Sequence, residues 1–348
     1  MSRRRLTLMM AGVLTLVLGG AGALLPVPYV ALSPGPTENT LGDVKGKPVI
    51  SISGHQTYPT SGKLSLVTVA YQGGPNAHID LLTALRGWVD PTVAVVPEET
   101  LFPKTVSVKE VEQQNTQEMS SSQQDATAAA LTELKIPIGY LVGVASAQKG
   151  KPADGKLRPG DGIATVDGVT VRTVDEVGAA VRKRKPGEEV LFGIVRDGKP
   201  MDVRVGTVAG KDGPIVGVMM GGTRYKFPFD VNLNVGDVGG PSAGLMFSLG
   251  IYDKLTPGPL TGGKSIAGTG TITPDGKVGP IGGIQQKMVG ARNAGATIFL
   301  TPADNCDDAV PAVPKGLRLV KVGTMHEAVQ AIETLRTGSG AVPECPAR

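Results

Sequence analysis

Ser242 is the residue of this chain best placed to do chemistry. It lies in the stretch VGDVGGPSAGLMFSL, where Gly239 and Gly240 allow a sharp turn and Pro241 suits the first position of a helix formed by the apolar run that follows. A serine at a helix start lies among unpaired backbone N–H groups at the positive end of the helix dipole, which is the environment that an oxyanion needs. The position suits a helix-capping or small packing serine equally well, so the residue type alone leaves both interpretations open.

A lysine 45 residues after the serine offers the matching base. Lys287 lies with Ile284, Met288 and Ala291 at the spacing i, i+3, i+4 and i+7, which is typical of one buried face of a helix. A surface lysine lies opposite such a face or extends out of it. A lysine held in an apolar pocket instead has a lowered pKa and can serve as a general base.

The motifs around these two residues resemble a known family. GGPSAG, followed by GTGTITPDGKVGPIGGIQQK and FLTPADN, is similar to the proteolytic domain of Lon-type serine proteases. In that family the serine of the PSAG motif is the nucleophile and the lysine after PIGG is its base. The resemblance therefore implies a catalytic dyad of Ser242 and Lys287, with three supporting residues: Gly240, Pro241 and Thr269. Where many bacterial members have an acidic residue three positions before the serine, this chain has Gly239.

A second module precedes the serine. The stretch KLRPGDGIATVDGVTV, residues 156–171, resembles the signature of a PDZ domain, with two turns between alternating strands, and residues 174–184 predict the groove helix with Val177 and Val181 on its inner face. We therefore expect a small β-rich PDZ domain over residues 137–208. The resemblance implies that this domain accepts an extended peptide or a C-terminus as an added strand.

The Lon-like fold is predicted to begin before the PDZ domain. The N-terminal segment, residues 32–136, is expected to be extracytoplasmic because it follows the membrane anchor predicted below. Its stretches SGKLSLVTVAY and MSSSQQDATAAALTEL weakly resemble the strand and helix that precede the catalytic serine in Lon domains. Alternating strands and helices make the Lon-like catalytic domain, residues 212–338, an α/β (α+β) domain, followed by a tail over 339–348. The PDZ domain is then inserted within the protease fold; tandem domains after an unrelated N-terminal region are the alternative.

Residues 1–31 are predicted to form a cytoplasmic stub and a transmembrane anchor. Three arginines at positions 3–5 precede an uncharged run of 20 residues, Leu6–Leu25, which is long enough to cross a bilayer. Because the arginines should stay in the cytoplasm, the expected location is the cell membrane, single-pass, with the catalytic part extracytoplasmic. A signal peptide cleaved after Ala21-Gly22-Ala23 is the alternative.

The two cysteines of the chain are Cys306 and Cys345. An even count outside the cytoplasm permits one disulfide, which would tie the C-terminal tail to the loop after Thr301. Two free thiols are the alternative.

Several other classes of site are not expected. GPLTGGKS, residues 258–265, has the spacing of a phosphate-binding loop, but a β-like sequence follows it instead of a helix, so neither ATP nor another cofactor is predicted. The three histidines have no motif context, which argues against a Ser-His-Asp triad and against a metal site: His55, His78 and His326. A net charge of +4 without interleaved basic and aromatic residues gives no case for a nucleic-acid partner.

The sequence thus predicts an ATP-independent, membrane-anchored extracytoplasmic serine endopeptidase that uses a Ser-Lys dyad. Its expected partners are protein or peptide substrates, recognised through the PDZ groove, and the family resemblance also suggests a homo-oligomeric ring. The alternative function is a proteolytically silent PDZ scaffold or adaptor at the cell envelope.

Overall fold

The computed structural model describes residues 3–236 and 238–346, with the backbone alone described at residues 3–6. The chain divides into two compact units. Unit 1 contains the chain up to Lys135 and again from Phe229, and unit 2 consists of Ile136–Pro228. Unit 1 is therefore built from two stretches that are separated in sequence by the whole of unit 2.

The elements follow one another in chain order. The helices are α1 Arg3–Ala23, α2 Leu81–Val89, α3 Val108–Glu133, α4 Val174–Arg182, α5 Gly244–Leu255, α6 Ile284–Asn293, α7 Cys306–Ala309 and α8 Met325–Thr337. The strands are β1 Pro26–Val27, β2 Tyr29–Asn39, β3 Asp43–Val44, β4 Lys47–Pro48, β5 Ile50–Ser53, β6 Lys63–Gly73, β7 Ile79–Asp80, β8 Ala94–Pro97, β9 Gly139–Ala147, β10 Gly162–Val166, β11 Val169–Thr170, β12 Glu189–Arg196, β13 Lys199–Gly206, β14 Val208–Gly210, β15 Gly213–Ile215, β16 Val218–Lys226, β17 Asp230–Leu233, β18 Ser265–Gly268, β19 Thr271–Ile272, β20 Val278–Gly279, β21 Ile298–Pro302 and β22 Arg318–Val322. Short 3₁₀ turns lie at Glu98–Thr100, Ala303–Asn305 and Val310–Ala312.

The predicted membrane segment forms α1, which ends at Ala23, before Leu24 and Leu25. In the part of the chain that the structure describes, no helix is long and apolar enough to cross a membrane. The prediction of an N-terminal transmembrane helix over Leu6–Leu25 is therefore not supported. The side chains of the three arginines and of Leu6 lie outside the described residues.

Unit 1 is organised around a mixed sheet with the strand order β22-β21-β18-β6-β2-β8. The first four of these strands run parallel, whereas β2 and β8 are joined by antiparallel pairing. Strand β18 pairs with β6, matching Ile266 with Leu64 and Ala267 with Ser65. One sheet therefore contains strands from both stretches of unit 1, and β17 and β5 join the same two stretches a second time.

Helices cover this sheet and position the site. Helix α6 packs against β2 and β6, and α5 packs against α3 and α8. The α5 sequence GLMFSLGIYDKL is buried almost throughout, and Leu245, Phe247 and Leu249 are fully enclosed. A helix that is apolar on nearly every side must lie in the interior, which explains why α3 and α8 surround it.

Unit 2 is a five-stranded antiparallel sheet, β13-β12-β10-β9-β16, with the short strand β11 paired to β10. Its Asp-Gly turns adopt the expected left-handed geometry, with φ of 52° at Asp167 and 78° at Gly168. Val177 and Val181 of α4 are buried in its core, as the helical spacing predicted. The helix ends at Arg182 rather than at Arg184, since Lys183 caps it.

Unit 2 includes one strand beyond the predicted PDZ domain. The PDZ domain is predicted over residues 137–208, and the compact unit continues beyond it, because β16 pairs with β9 between Val218 and Lys226 and brings the unit to Pro228. The register shifts between Met220 and Thr223, where two glycines interrupt the alternation of side chains. That interruption concealed the strand in the sequence.

Candidate active site

Ser242 lies on the turn between β17 and α5 and is partly buried. Helix α5 begins at Gly244 with Ala243 as its cap, so Pro241 is not at the first helical position as predicted. The cause is visible in the hydrogen bonds of the Ser242 carbonyl. It accepts from Gly270 N–H at 2.9 Å and from the Thr269 hydroxyl at 2.9 Å, and these bonds tie it to the segment that follows β18.

The segment before the serine is held by α3. Gly240, with φ of 82°, donates its N–H to the Asn115 carbonyl at 3.0 Å. The Ser122 hydroxyl donates to the Pro241 carbonyl at 3.0 Å. Ser122 and Pro241 are 119 positions apart in sequence, so no local signal could have identified Asn115 or Ser122 as residues of this site.

Lys287 lies on the buried face of α6. It is 4% exposed, and Ile284, Met288 and Ala291 are buried beside it, as the helical spacing predicted. Gly283 caps the helix with φ of 67°, a left-handed conformation that favours glycine. The lysine therefore does not extend to solvent, as most lysines at the edge of an apolar face would.

The ammonium group of Lys287 is hydrogen-bonded to Thr269. Its Nζ donates to Thr269 Oγ1 at 3.2 Å, and burial lowers the pKa of Lys287 to about 8. The Thr269 hydroxyl, 1% exposed, thus accepts from Lys287 while it donates to the Ser242 carbonyl. The structure brings Ser242, Thr269 and Lys287 together at the ends of α5, β18 and α6. A lysine with this pKa is partly neutral in mildly alkaline solution and then carries a free electron pair.

The remaining sequence candidates lie elsewhere or have other partners. The GPLTGGKS loop leads into β18, whereas a phosphate-binding loop opens a helix. His78 bonds to Glu98, and His326 bonds to Glu133. His55 contacts the ring of Phe229. Cys306 and Cys345 are joined in a disulfide that links the start of α7 to the C-terminal tail.

Comparison with known proteins gives two domain matches. Residues 233–335 match the Lon protease (S16) C-terminal proteolytic domain, and residues 107–207 match the PDZ domain. Two stretches of the chain are thus similar to a Lon-type proteolytic domain and to a PDZ domain. The first match contains Ser242, Thr269 and Lys287, and the second begins on α3, which the structure places in unit 1.

Similar proteins include Lon protease 1 of Sorangium cellulosum, 39% identical over 108 residues, which are 30% of this chain and 13% of that protein. Lon protease of Heliobacterium modesticaldum is 40% identical over 94 residues, which are 26% of this chain and 11% of that protein. The matched part thus spans only 11–13% of the length of these relatives. Among solved structures, the PDZ domain of an SdrC-like protein from Listeria innocua is 27% identical, covers 23% of this chain and 92% of its own, and has a TM-score of 0.22.

Proposed function

We propose that this protein is a serine endopeptidase in which Ser242 is the nucleophile and Lys287 is the general base. The burial of Lys287 is the observation that carries the proposal. Taking an ammonium group out of water is costly, and a lysine with only a packing role would extend its charge to solvent. Here Lys287 is 4% exposed, and its amine is linked to the Ser242 carbonyl through the hydroxyl of Thr269.

The reaction proceeds in two halves. Neutral Lys287 accepts the proton of the Ser242 hydroxyl, and the serine oxygen attacks the carbonyl carbon of a peptide bond. The tetrahedral intermediate collapses, the C–N bond breaks, and the protonated lysine returns the proton to the leaving amine. Water, deprotonated by the same lysine, then hydrolyses the acyl-enzyme.

Backbone groups around the serine stabilise the oxyanion in this proposal. The Leu245 N–H already donates to the Gly270 carbonyl, and the Gly240 N–H donates to Asn115. We assign the role to the N–H groups of Ser242 and Ala243, which precede the first turn of α5. Thr269 holds the lysine and the serine backbone in place and takes no proton itself.

The proposal is tested with the purified full chain and an unstructured protein substrate, in the absence of ATP. Ser242→Ala and Lys287→Ala should each abolish cleavage, and the double variant should be no worse, because the pair acts as one unit. Lys315→Ala, which changes an exposed lysine, is the control and should retain wild-type activity. Near-wild-type turnover by Lys287→Ala would disprove the dyad. If neither the wild type nor any variant cleaves the substrate, the proteolytically silent PDZ scaffold becomes the favoured function.

The rate of cleavage should also depend on pH in one direction. Since only the deprotonated amine accepts a proton, kcat/KM should rise with pH through an apparent pKa of about 8, the value to which burial lowers Lys287. A profile that is flat between pH 6 and 9 would contradict a lysine base.

Unit 2 supplies peptide recognition in this proposal. Strand β16 is an edge of its sheet, and α4 packs beside it. An extended peptide can add to such an edge as a further strand, so unit 2 would recruit substrates or gate their access.

We further propose that the protein is held at the cell membrane with its catalytic part outside the cytoplasm. Large apolar side chains of α1 are exposed, among them Leu8, Leu16 and Leu18, which disfavours a free position in water. A disulfide is typical of proteins outside the cytoplasm.

A C-terminal reporter that is active only outside the cytoplasm tests this location. The reporter should be active, and the protein should stay in the membrane fraction after a salt wash. A soluble product, or an inactive reporter, would refute this placement.

A further inference from the structure

A cleft is lined in part by Pro241, the residue that precedes the candidate nucleophile. It has a volume of about 210 Å³, and its lining residues are Gln117, Glu118, Ser121, Ser122, Asp125, Pro241, Thr271 and Ile272. Sites for drug-sized ligands occupy roughly 300–1,000 Å³, so this cleft suits a single side chain rather than a small-molecule cofactor.

The walls of the cleft are tied to the residues of the site. Pro241 immediately precedes Ser242, and its carbonyl accepts the hydrogen bond of Ser122 from α3. Thr271 and Ile272 of β19 also line the cleft, and this strand begins two positions after Thr269, the partner of Lys287. A substrate side chain in this cleft would therefore belong to a residue next to the peptide bond that Ser242 attacks.

The cleft is acidic. Glu118 and Asp125 are seven positions apart on α3, with Ser121 and Ser122 between them, which places all four on one face of the helix. Gln114 Nε2 donates to Glu118 Oε1 at 2.8 Å and so orients that carboxylate. Among the described residues that line the cleft, two are carboxylates and none is basic. Both carboxylates are partly buried, and there they attract a cation more strongly than they would in bulk water.

We propose that this cleft is a specificity subsite for a lysine or arginine side chain of the substrate, next to the scissile bond. Glu118 and Asp125 are its specificity-determining residues, and Ser121 and Gln117 are polar groups that can accept the remaining N–H donors of the bound cation. The assignment rests on the proposed peptidase function and adds to it a substrate class, peptides with a basic residue at the cleavage point.

A hydrolysis experiment tests the preference with the full chain. Matched peptides carry lysine, arginine, norleucine, glutamine or glutamate on one or the other side of the scissile bond. The wild type should cleave the lysine and arginine peptides with kcat/KM about tenfold or more above that for norleucine, which has a similar length without the charge. Glu118→Gln/Asp125→Asn should lower kcat/KM for the lysine and arginine peptides to about the value for the norleucine peptide, whereas Glu112→Gln, which changes an exposed carboxylate of α3 outside the cleft, should retain the preference.

A binding experiment separates this inference from the catalytic one. Ser242→Ala cannot cleave in the proposed mechanism, so calorimetry can compare its affinity for the lysine and norleucine peptides. Tighter binding of the lysine peptide that is lost in the Ser242→Ala/Glu118→Gln/Asp125→Asn chain supports the subsite even if no peptide is hydrolysed, in which case only the peptidase proposal fails. Equal affinities for the two peptides, or a lysine preference that survives the loss of both carboxylates, would overturn the subsite whether or not cleavage occurs.

Discussion

The hydroxyl of Thr269 connects the two residues of the proposed dyad. It accepts from Lys287 Nζ at 3.2 Å and donates to the Ser242 carbonyl at 2.9 Å. A valine has the same shape but no hydroxyl, whereas a serine keeps the hydroxyl and loses a methyl group. The two substitutions therefore separate the hydrogen bonds from the packing.

Thr269→Val should lower kcat by roughly tenfold or more, because the buried amine loses its partner, and Thr269→Ser should retain most of the activity. The hydroxyl stabilises the ammonium form, so its removal should lower the pKa of Lys287 further and move the rise in the pH–rate profile to lower pH. A merely structural role would reduce the amount of folded enzyme and leave the profile in place. An unshifted profile in Thr269→Val would contradict a positioning role.

The buried charge of Lys287 should reduce the stability of the fold. Burial lowers its pKa from 10.5 to about 8, so between these two pH values the unfolded chain binds more protons and the free energy of unfolding rises with pH. Below pH 8 the whole penalty is present, on the order of 3 kcal/mol at 1.36 kcal/mol per pKa unit. Lys287→Met keeps the length of the side chain without the charge, so it should be more stable than the wild type at pH 7, with an advantage that shrinks toward pH 10.5.

The single tryptophan of the chain makes this measurement specific. Trp88 lies on α2 in unit 1, the unit that contains Lys287, so its fluorescence reports the unfolding of that unit. Urea unfolding of the wild type and of Lys287→Met is compared at pH 7 and pH 10, with Lys315→Met as the control at an exposed lysine. A variant that is less stable than the wild type at pH 7, or a difference that does not depend on pH, would contradict a penalty from the buried charge.

Local sequence patterns predicted part of the site. Helical spacing is a local property, and it predicted that Lys287 would share the buried face of α6 with Ile284 and Met288. The bonds from Asn115 and Ser122 to the serine segment join residues more than 100 positions apart, which no local pattern encodes. The start of α5 was wrong for the same reason, since the Ser242 carbonyl bonds to Gly270 rather than to the helix.

The C-terminal tail covers the apolar cluster behind α6. Cys345 packs against a cluster that contains Ile284, Met288 and Phe299, and its disulfide to Cys306 fixes the tail there. Lys321 N–H donates to the Pro343 carbonyl at 3.0 Å, and Arg318 pairs with Glu344. The tail thus runs beside β22. It also packs on the same apolar cluster as α6, the helix that carries Lys287.

Loss of this disulfide should destabilise unit 1. The bond closes a loop with a sequence separation of 39, for which the chain-entropy model gives about 3–4 kcal/mol. Trp88 fluorescence in urea should show the loss when the wild type is treated with a reductant and, equally, in Cys306→Ser/Cys345→Ser without reductant. The double variant should not respond to reductant, which controls for other effects of the reagent. If reduction leaves the unfolding midpoint of the wild type unchanged, the disulfide does not stabilise the fold.

The sequence predicted that unit 2 interrupts unit 1, but it did not predict every strand of the two units. Turn chemistry and apolar spacing identified the start of unit 2, because Asp-Gly turns and a helix with two buried valines are local features. The unit continues about 20 residues past the predicted PDZ domain through β16, whose alternation Gly221 and Gly222 break, so that only its pairing with β9 makes this strand evident. The contribution of β6 to the sheet of β18 is a long-range pairing, and the sequence offered only a weak resemblance for it.

Unit 1 should fold without unit 2. Its two stretches meet in one sheet, where β6, β2 and β8 from the first stretch extend β18, β21 and β22 from the second, and these stretches form one compact unit. Replacing these residues by a flexible Gly-Ser linker of about ten residues should leave a chain that unfolds cooperatively by Trp88 fluorescence and labels at Ser242 with a fluorophosphonate. Ser242→Ala in the same shortened chain is the control for labelling.

A fragment that begins at Phe229 keeps Ser242, Thr269 and Lys287. It lacks three of the six strands and the α3 residues that hold the serine segment, so circular dichroism should show no cooperative unfolding. Cooperative folding and peptide hydrolysis by that fragment would show that the second stretch is a domain by itself, and unit 1 would then be two tandem parts rather than one fold interrupted by unit 2.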